Sequence, residues 1–115
     1  MRAVSEAQLQ RTIIEAAQWH GFLAAHFRPA QTSRGWRTPV EGDAGFPDVV
    51  LAKQGIAFAF ELKSERGKLS SEQEAWGEEL IGPRGVSVLE YGVIRPSQLD
   101  DVLVLLDRAA AASRR

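Results

Sequence analysis

The sequence has no cysteine, which excludes disulfides, thiol nucleophiles and cysteine-based zinc sites. It has no apolar run near the roughly 18 residues a membrane span needs, and Ser5 and Glu6 interrupt the N-terminal stretch where a signal peptide would be hydrophobic. Both absences are those expected of a cytoplasmic protein that does not enter a membrane. Neither sign of charge is in excess: 14 Lys and Arg stand against 15 Asp and Glu, for a net charge of −1. No bulk positive field advertises nucleic acid, so such a partner must be held by a local patch. There is no internal repeat, and the one low-complexity tract is the alanine run 109–112. What is present is a chain of 115 residues, 44% apolar and 25% charged, the composition of one folded domain over 1–115.

Ser5 and Gln8 have capping-box spacing, Leu9, Ile13, Ala16 and Ala17 recur on one helical face, and Gly21 is a stop, which predicts a helix over 6–20. FLAAHFR (22–28), closed by Pro29, predicts a strand. Residues 29–47 show prolines, glycines and no apolar periodicity, and are predicted as a loop, of a length that is functional or disordered in a small domain. DVVLAK, Gln54-Gly55 and IAFAFELK predict a hairpin. Ser70 or Ser71 caps a second helix, with Trp76 and Leu80 as its buried side and Gly82-Pro83 as its end. VSVLEYGVI (86–94) is a fourth strand. Pro96-Ser97 opens a last helix, Ser97 and Asp100 have capping-box spacing, and Leu99, Val102, Leu103 and Leu106 form its apolar face. The order α-β-β-β-α-β-α, with both faces of the hairpin apolar, predicts an α/β fold: a sheet of four strands covered by helices on both sides.

The hairpin carries the chemistry. If Gln54-Gly55 is its loop, Lys53 faces Ile56 and every cross-strand pair sums to 109. Asp48 and Glu61 then sit opposite each other, with Cβ atoms roughly 5 Å apart, and Lys63 shares their face. Ala59, Ala57, Ala52 and Val50 line the rest of that face; Val49, Leu51, Ile56, Phe58, Phe60 and Leu62 form the other, which is core. Opposed like charges destabilise a sheet, so something positive is expected between them. A hard divalent cation suits two carboxylates, a backbone carbonyl and waters. With Lys63 as a neighbouring cation, the set describes metal-assisted phosphodiester hydrolysis. Each piece is weak by itself. Ten Glu and three Lys give a Glu-x-Lys triplet by chance about 0.3 times, and the bland reading is a strand-end Asp with an exposed Glu-Lys pair contributing at most about 1 kcal/mol.

GFPDVVL (45–51), followed by FELKSERGKLSSEQEAW (60–76), resembles the VRR-NUC family of the PD-(D/E)XK nuclease superfamily, above all its small stand-alone phage and bacterial members. The agreeing elements are Gly-Phe-Pro-Asp, Glu-x-Lys a strand later, and Gly-Lys-Leu-Ser with a Gln opening the next helix. The resemblance extends to Glu6 and Gln10, to His26 and to Arg95-Pro96. It implies a restriction-endonuclease-like core and a nuclease dependent on Mg²⁺ or Mn²⁺. Asp48 and Glu61 would hold the metal, with the carbonyl of Leu62 completing the set. Lys63 would position or activate the attacking water, and Gln73 would steady the site or the DNA. A first-helix ligand is common in the superfamily; Glu6, Gln10 and Glu15 compete for that place, with Glu6 or Gln10 favoured and Glu15 expected to face solvent. Stand-alone relatives act as homodimers on branched DNA, notably four-way junctions, so a Holliday-junction resolvase-like endonuclease is implied.

His26 is read as a half-buried histidine bonded to backbone or as a phosphate contact. His20 is read as a cap at the end of the first helix. Arg34, Trp36 and Arg37, with no acid between them, suit phosphate contact and base stacking, and Lys68 is similarly placed ahead of the second helix. The acidic run 72–79 should point away from DNA. Trp19 and Trp76 read as core, and Arg95 as a partner of Asp100 or Asp101. The rival readings are a DNA-binding or scaffold module that keeps the fold without cutting, and a glycosidase with two carboxyls about 5 Å apart, which the lysine and the lack of a sugar-stacking aromatic disfavour.

Overall fold

The computed structural model describes residues 4–27, 30–32, 35–37, 41–82 and 89–113. Helix α1 (Glu6–Trp19) starts from the predicted capping box: Ser5 Oγ accepts from the Gln8 amide and Gln8 returns a bond to the Ser5 amide. Gly21, at φ +87°, turns the chain out of the helix into β1 (Leu23–His26), shorter than the predicted 22–28. Stretch 29–47 is not all loop. It contains a small hairpin, β2 (Ala30–Thr32) paired antiparallel to β3 (Gly35–Arg37), apart from the main sheet. Arms of three residues joined through backbone groups leave too short a side-chain pattern to betray pairing.

The main sheet has the order β1-β4-β5-β6, with β4 (Val49–Lys53) antiparallel to both neighbours and β6 (Glu90–Ile94) parallel to β5 (Ile56–Leu62). Gln54 and Gly55 both have positive φ, +46° and +88°, the signature of the type I′ turn whose twist matches a two-residue hairpin. The register is therefore the predicted one, from Lys53↔Ile56 to Val49↔Phe60. Residues 83–88, which include the first three positions of the predicted fourth strand (86–94), lie outside the described residues.

One face of the sheet is the core. Leu9, Ile13 and Ala17 of α1 and Val102, Leu106 and Ala110 of α3 (Leu99–Ala112) pack on Phe22, Val49, Leu51, Phe58, Phe60, Leu62 and Ile94. The other face lies under α2 (Ser71–Ile81), capped by Ser70 with Gln73 as the reciprocal member of its box. Here the buried position is Gly77, not the predicted Trp76 and Leu80, which are half-buried. A Cβ at Gly77 would stand 3.0 Å from the Tyr91 ring, so the glycine lets helix and strand approach.

Three further expectations are corrected. Trp19 is 87% exposed rather than core: it follows Ala17 by two positions and so points off the buried stripe of α1. Ser97 does not cap against Asp100; its amide and hydroxyl both donate to the Glu65 carboxylate, and a 3-10 turn (Pro96–Gln98) leads into α3. Arg95 pairs with neither Asp100 nor Asp101. Its guanidinium donates to the carbonyls of Ser64 (2.6 Å), Gly67 (2.8 Å) and Glu65 (3.2 Å). Three fixed carbonyls converging on the one charged Nη1 group outcompete a solvated carboxylate. His20 is the C-cap of α1, as expected, with Nε2 3.9 Å from Asp107 of α3.

Candidate active site

The end of the hairpin builds the site. In a two-residue hairpin the pairs that exchange backbone hydrogen bonds alternate from the turn, so Lys53–Ile56, Leu51–Phe58 and Val49–Phe60 are of that kind. The next such pair in register is Pro47–Leu62. Pro47 has no N–H and cannot donate to the Leu62 carbonyl, while the Leu62 N–H is taken by the Asp48 carboxylate at 2.9 Å. The proline thus ends the ladder and leaves a strand carbonyl without its cross-strand donor beside an acidic side chain. Asp48 and Glu61 fall in the intervening kind of pair, in which side chains approach most closely. Their carboxyl groups are within hydrogen-bonding reach of each other.

Glu61 is 2% exposed, so the bland reading of an exposed Glu-Lys pair does not hold. Burial, then the adjoining Asp48 carboxyl through its hydrogen bond and charge, push the Glu61 pKa up to about 8, with the more distant Glu6 adding to the rise; Lys63 pulls it the other way. Both carboxylates are held by protein donors, Asp48 by the Leu62 amide and Glu61 by Gln73 Nε2 at 3.1 Å. Gln73 is itself fixed as the third residue of α2. Gly45 sets that helix in place: a Cβ there would lie 2.6–2.8 Å from the backbone of Glu72 and Gln73, and its φ is +99°. The loop ahead of Asp48 is braced by Phe46, edge-on to Trp76 at 5.0 Å and to Phe27 at 5.4 Å, and by the Trp76 indole N–H donating to the Asp43 carbonyl at 3.2 Å. On the far side, the Lys63 amide donates to the Ile94 carbonyl at 3.0 Å, and Arg95 clamps the 64–67 turn that follows.

An open cleft of about 690 Å³ adjoins the pair, lined by Glu6, Ala7, Gln10, Arg11, Ile14 and Glu15 of α1 and by His26, Phe27, Asp48 and Leu62. Gln10 and His26 meet at 3.2 Å, Nε2 to Nδ1, so His26 is bonded to a side chain rather than to backbone. Of the residues singled out from sequence, Glu6, Gln10, His26, Asp48 and Leu62 line this cleft, and Glu61, Lys63 and Gln73 gather at its carboxylate end. Glu15 is exposed, as expected, and stands at the cleft as well. Lys68 is exposed and is not among the lining residues. Arg34 lies outside the described residues, and Trp36 and Arg37 belong to β3, whose side chains are not described. Arg11, Phe27 and Tyr91 were not singled out. Arg11 follows Gln10 directly, which is the signal that would have found it. Tyr91, on the carboxylate face two residues before Val93, has its phenol pKa raised by burial and then by the charges of Glu61 and Asp48.

The donors at the pair are hard oxygens: two carboxylates and a strand carbonyl. Among the described residues no three His, Asp or Glu side chains converge to hold a metal. Such a set fits a cation that keeps several waters, as Mg²⁺ does, and does not fit a closed zinc site. Among the described residues no helix is long and apolar enough to cross a membrane.

No family model and no curated protein matches the sequence. Among solved structures, a chain described as a VRR_NUC domain matches with a TM-score of 0.62 at 22% identity, over 86% of this chain and 94% of that one. The protein therefore has the fold of that VRR_NUC domain, a mixed four-stranded sheet flanked by three helices.

Proposed function

We propose that the protein is a VRR-NUC-type endonuclease that hydrolyses phosphodiester bonds of structured DNA, dependent on Mg²⁺ or Mn²⁺, acting as a homodimer in the manner of a Holliday-junction resolvase. The observation that carries this reading is the contact between half-buried Asp48 and buried Glu61, with Lys63 on the same face and an open cleft alongside. Two carboxyls kept together at this depth need a proton or a cation between them, and the neighbouring Leu62 carbonyl supplies a further oxygen. Asp48, Glu61 and that carbonyl would hold a divalent metal, which would supply Lewis-acid polarisation of the phosphate and acidification of a water; Glu6 is the first-helix candidate to join them.

The protein's own groups do the rest. Gln73 keeps Glu61 oriented, and the Leu62 amide does the same for Asp48. Lys63 Nζ orients the attacking water or neutralises charge on the phosphoryl oxygens. Attack of that water on phosphorus, in line with the departing O3′, forms one P–O bond and breaks another; the water gives up a proton to solvent and O3′ takes one up, leaving a 5′-phosphate and a 3′-hydroxyl. His26, together with Arg34, Trp36, Arg37 and Lys68, contacts the DNA. A dimer presents two such sites, as symmetric cutting of a four-way junction requires.

The test is cleavage of a labelled four-way junction beside matched linear duplex, with and without Mn²⁺, by the native protein and Lys63→Ala. Metal-dependent symmetric cuts, lost in the variant, are the expected result. Folded, metal-binding protein that cuts no DNA would overturn the proposal in favour of a non-cleaving DNA-binding module.

A further inference from the structure

Asp48 ahead of β4, Glu61 in β5 and Tyr91 in β6 lie on one face of three neighbouring strands. Tyr91 is in register with Ala59, and Glu61 follows Ala59 by two residues, so the phenol and the carboxylate both rise toward α2. They meet that helix one turn apart. Gln73 donates to the Glu61 carboxylate. Gly77, four residues on and so on the same side of the helix, lies against the phenol: a Cβ there would stand 3.0 Å from Cε2, Cζ and the hydroxyl of Tyr91. Four residues of helix rise about 6 Å, a gap that one water can bridge with a hydrogen bond at each end. The phenol feels the pair: burial, then the charges of Glu61 and Asp48, raise its pKa. Tyr91 is half-buried, and among the described residues its hydroxyl has no hydrogen-bond partner, although a tyrosine hydroxyl removed from solvent normally finds one.

We propose that Tyr91 is a positioning residue for the metal: its hydroxyl, through one water, donates to the Glu61 carboxylate and fixes the orientation in which Glu61 and Asp48 share a divalent cation. A carboxylate that gives one lone pair to a cation has others to be filled, and the groups that fill them hold the ligand at its working angle. Gln73 does so from α2, and Tyr91 does so from β6. Ring and hydroxyl then have separate tasks. The ring seats α2 through Gly77, and the hydroxyl serves the carboxylate. This rests on the metal site of the function proposed above and adds to it a residue from the strand beyond Glu61.

Tyr91 is the single tyrosine of the chain, so a tyrosine probe reports on it alone. The test titrates the full chain carrying 3-fluorotyrosine with Mg²⁺. Beside it, calorimetry measures Mn²⁺ binding, and melting curves in EDTA measure stability, for the native chain and Tyr91→Phe. The ¹⁹F resonance is expected to shift and to saturate with the metal. Tyr91→Phe keeps the ring against Gly77, so it should melt as the native chain does and bind Mn²⁺ roughly tenfold more weakly. A resonance that saturating Mg²⁺ leaves unmoved overturns the proposal without recourse to any variant, as does a folded Tyr91→Phe with native Mn²⁺ affinity. Affinity and metal-free melting temperature falling together would make the hydroxyl a structural group and overturn it too. The two readings fail separately. Weakened Mn²⁺ binding by Tyr91→Phe, with no DNA cut by the native chain, removes the nuclease and keeps the positioning role; metal-dependent cutting, with Tyr91→Phe binding Mn²⁺ as the native chain does, has the opposite meaning.

Discussion

Gln73 joins the start of α2 to Glu61 through a single amide group: Nε2 donates to the Glu61 carboxylate at 3.1 Å, while Oε1 accepts from the Ser70 amide at 2.9 Å. The residue that closes a capping box also orients a buried carboxylate, so helix formation and site geometry are set by one side chain.

Substitution at Gln73 therefore separates the two roles. Gln73→Glu keeps the capping box, since Glu serves as well as Gln at that position, but places a third carboxylate against Glu61. We expect metal-free stability to fall and cleavage to drop at least tenfold. Gln73→Ala leaves the Ser70 cap but loses the bond to the Ser70 amide, for about 0.5–1.5 kcal/mol, and loosens Glu61. Melting curves in EDTA beside cleavage rates check both; a fully active Gln73→Glu would contradict the role given to the amide.

Glu61 sets the pH response of the metal-free chain. Its folded pKa is raised to about 8 from 4.5, so between those values the native state binds more protons than the unfolded state. Its contribution to stability is then fully present below about pH 4.5 and is lost as pH rises through 8. The melting temperature in EDTA should fall over that window, and Glu61→Gln should flatten the trend. Mg²⁺ or Mn²⁺, competing with the proton and binding the native state, should raise the melting temperature more at pH 8 than at pH 5. A metal effect independent of pH would place the cation elsewhere.

Gly45 and Gly42 form a matched pair. Both have positive φ, +99° and +103°, but a Cβ at Gly45 meets the α2 backbone whereas one at Gly42 meets nothing within 4 Å. Gly42→Ala should carry only backbone strain, about 1 kcal/mol, with cleavage intact. Gly45→Ala adds a clash with rigid backbone and displaces the turn bearing Gln73, so it should be at least about 1 kcal/mol worse and much less active. Urea denaturation of the two variants makes the comparison.

Arg95→Met keeps an apolar stem and removes the Nη1 group that donates to the Ser64, Glu65 and Gly67 carbonyls. A loss of about 1–3 kcal/mol is expected, with faster hydrogen exchange in the 64–67 turn and reduced cleavage through a less constrained Lys63. Unchanged exchange in that turn would show that the clamp is dispensable.

Much of the site could be read along the chain because its determinants are local. The positive-φ pair Gln54-Gly55 fixes a register, and a period of two then carries Asp48, Glu61 and Lys63 to one face without reference to the rest of the fold. The Ser5–Gln8 and Ser70–Gln73 boxes span three residues each and were equally plain. What escaped involved partners far apart in sequence. Arg95 reaches carbonyls about thirty residues back, and those offer no side-chain pattern to read. Trp19 has the composition of a core residue and lies on the wrong side of its helix.

The sequence by itself thus determined the secondary structure around the hairpin, the pairing register and the identity of the opposed carboxylates, since backbone sterics and strand alternation act over a few residues. Only the tertiary structure decided that Glu61 is buried, that Gln73 holds it, that Gly45 seats α2 and that a cleft walled by Phe27 and α1 opens beside Asp48. Those follow from how elements pack against one another, and burial and close approach are properties of the assembled layers that no single segment encodes.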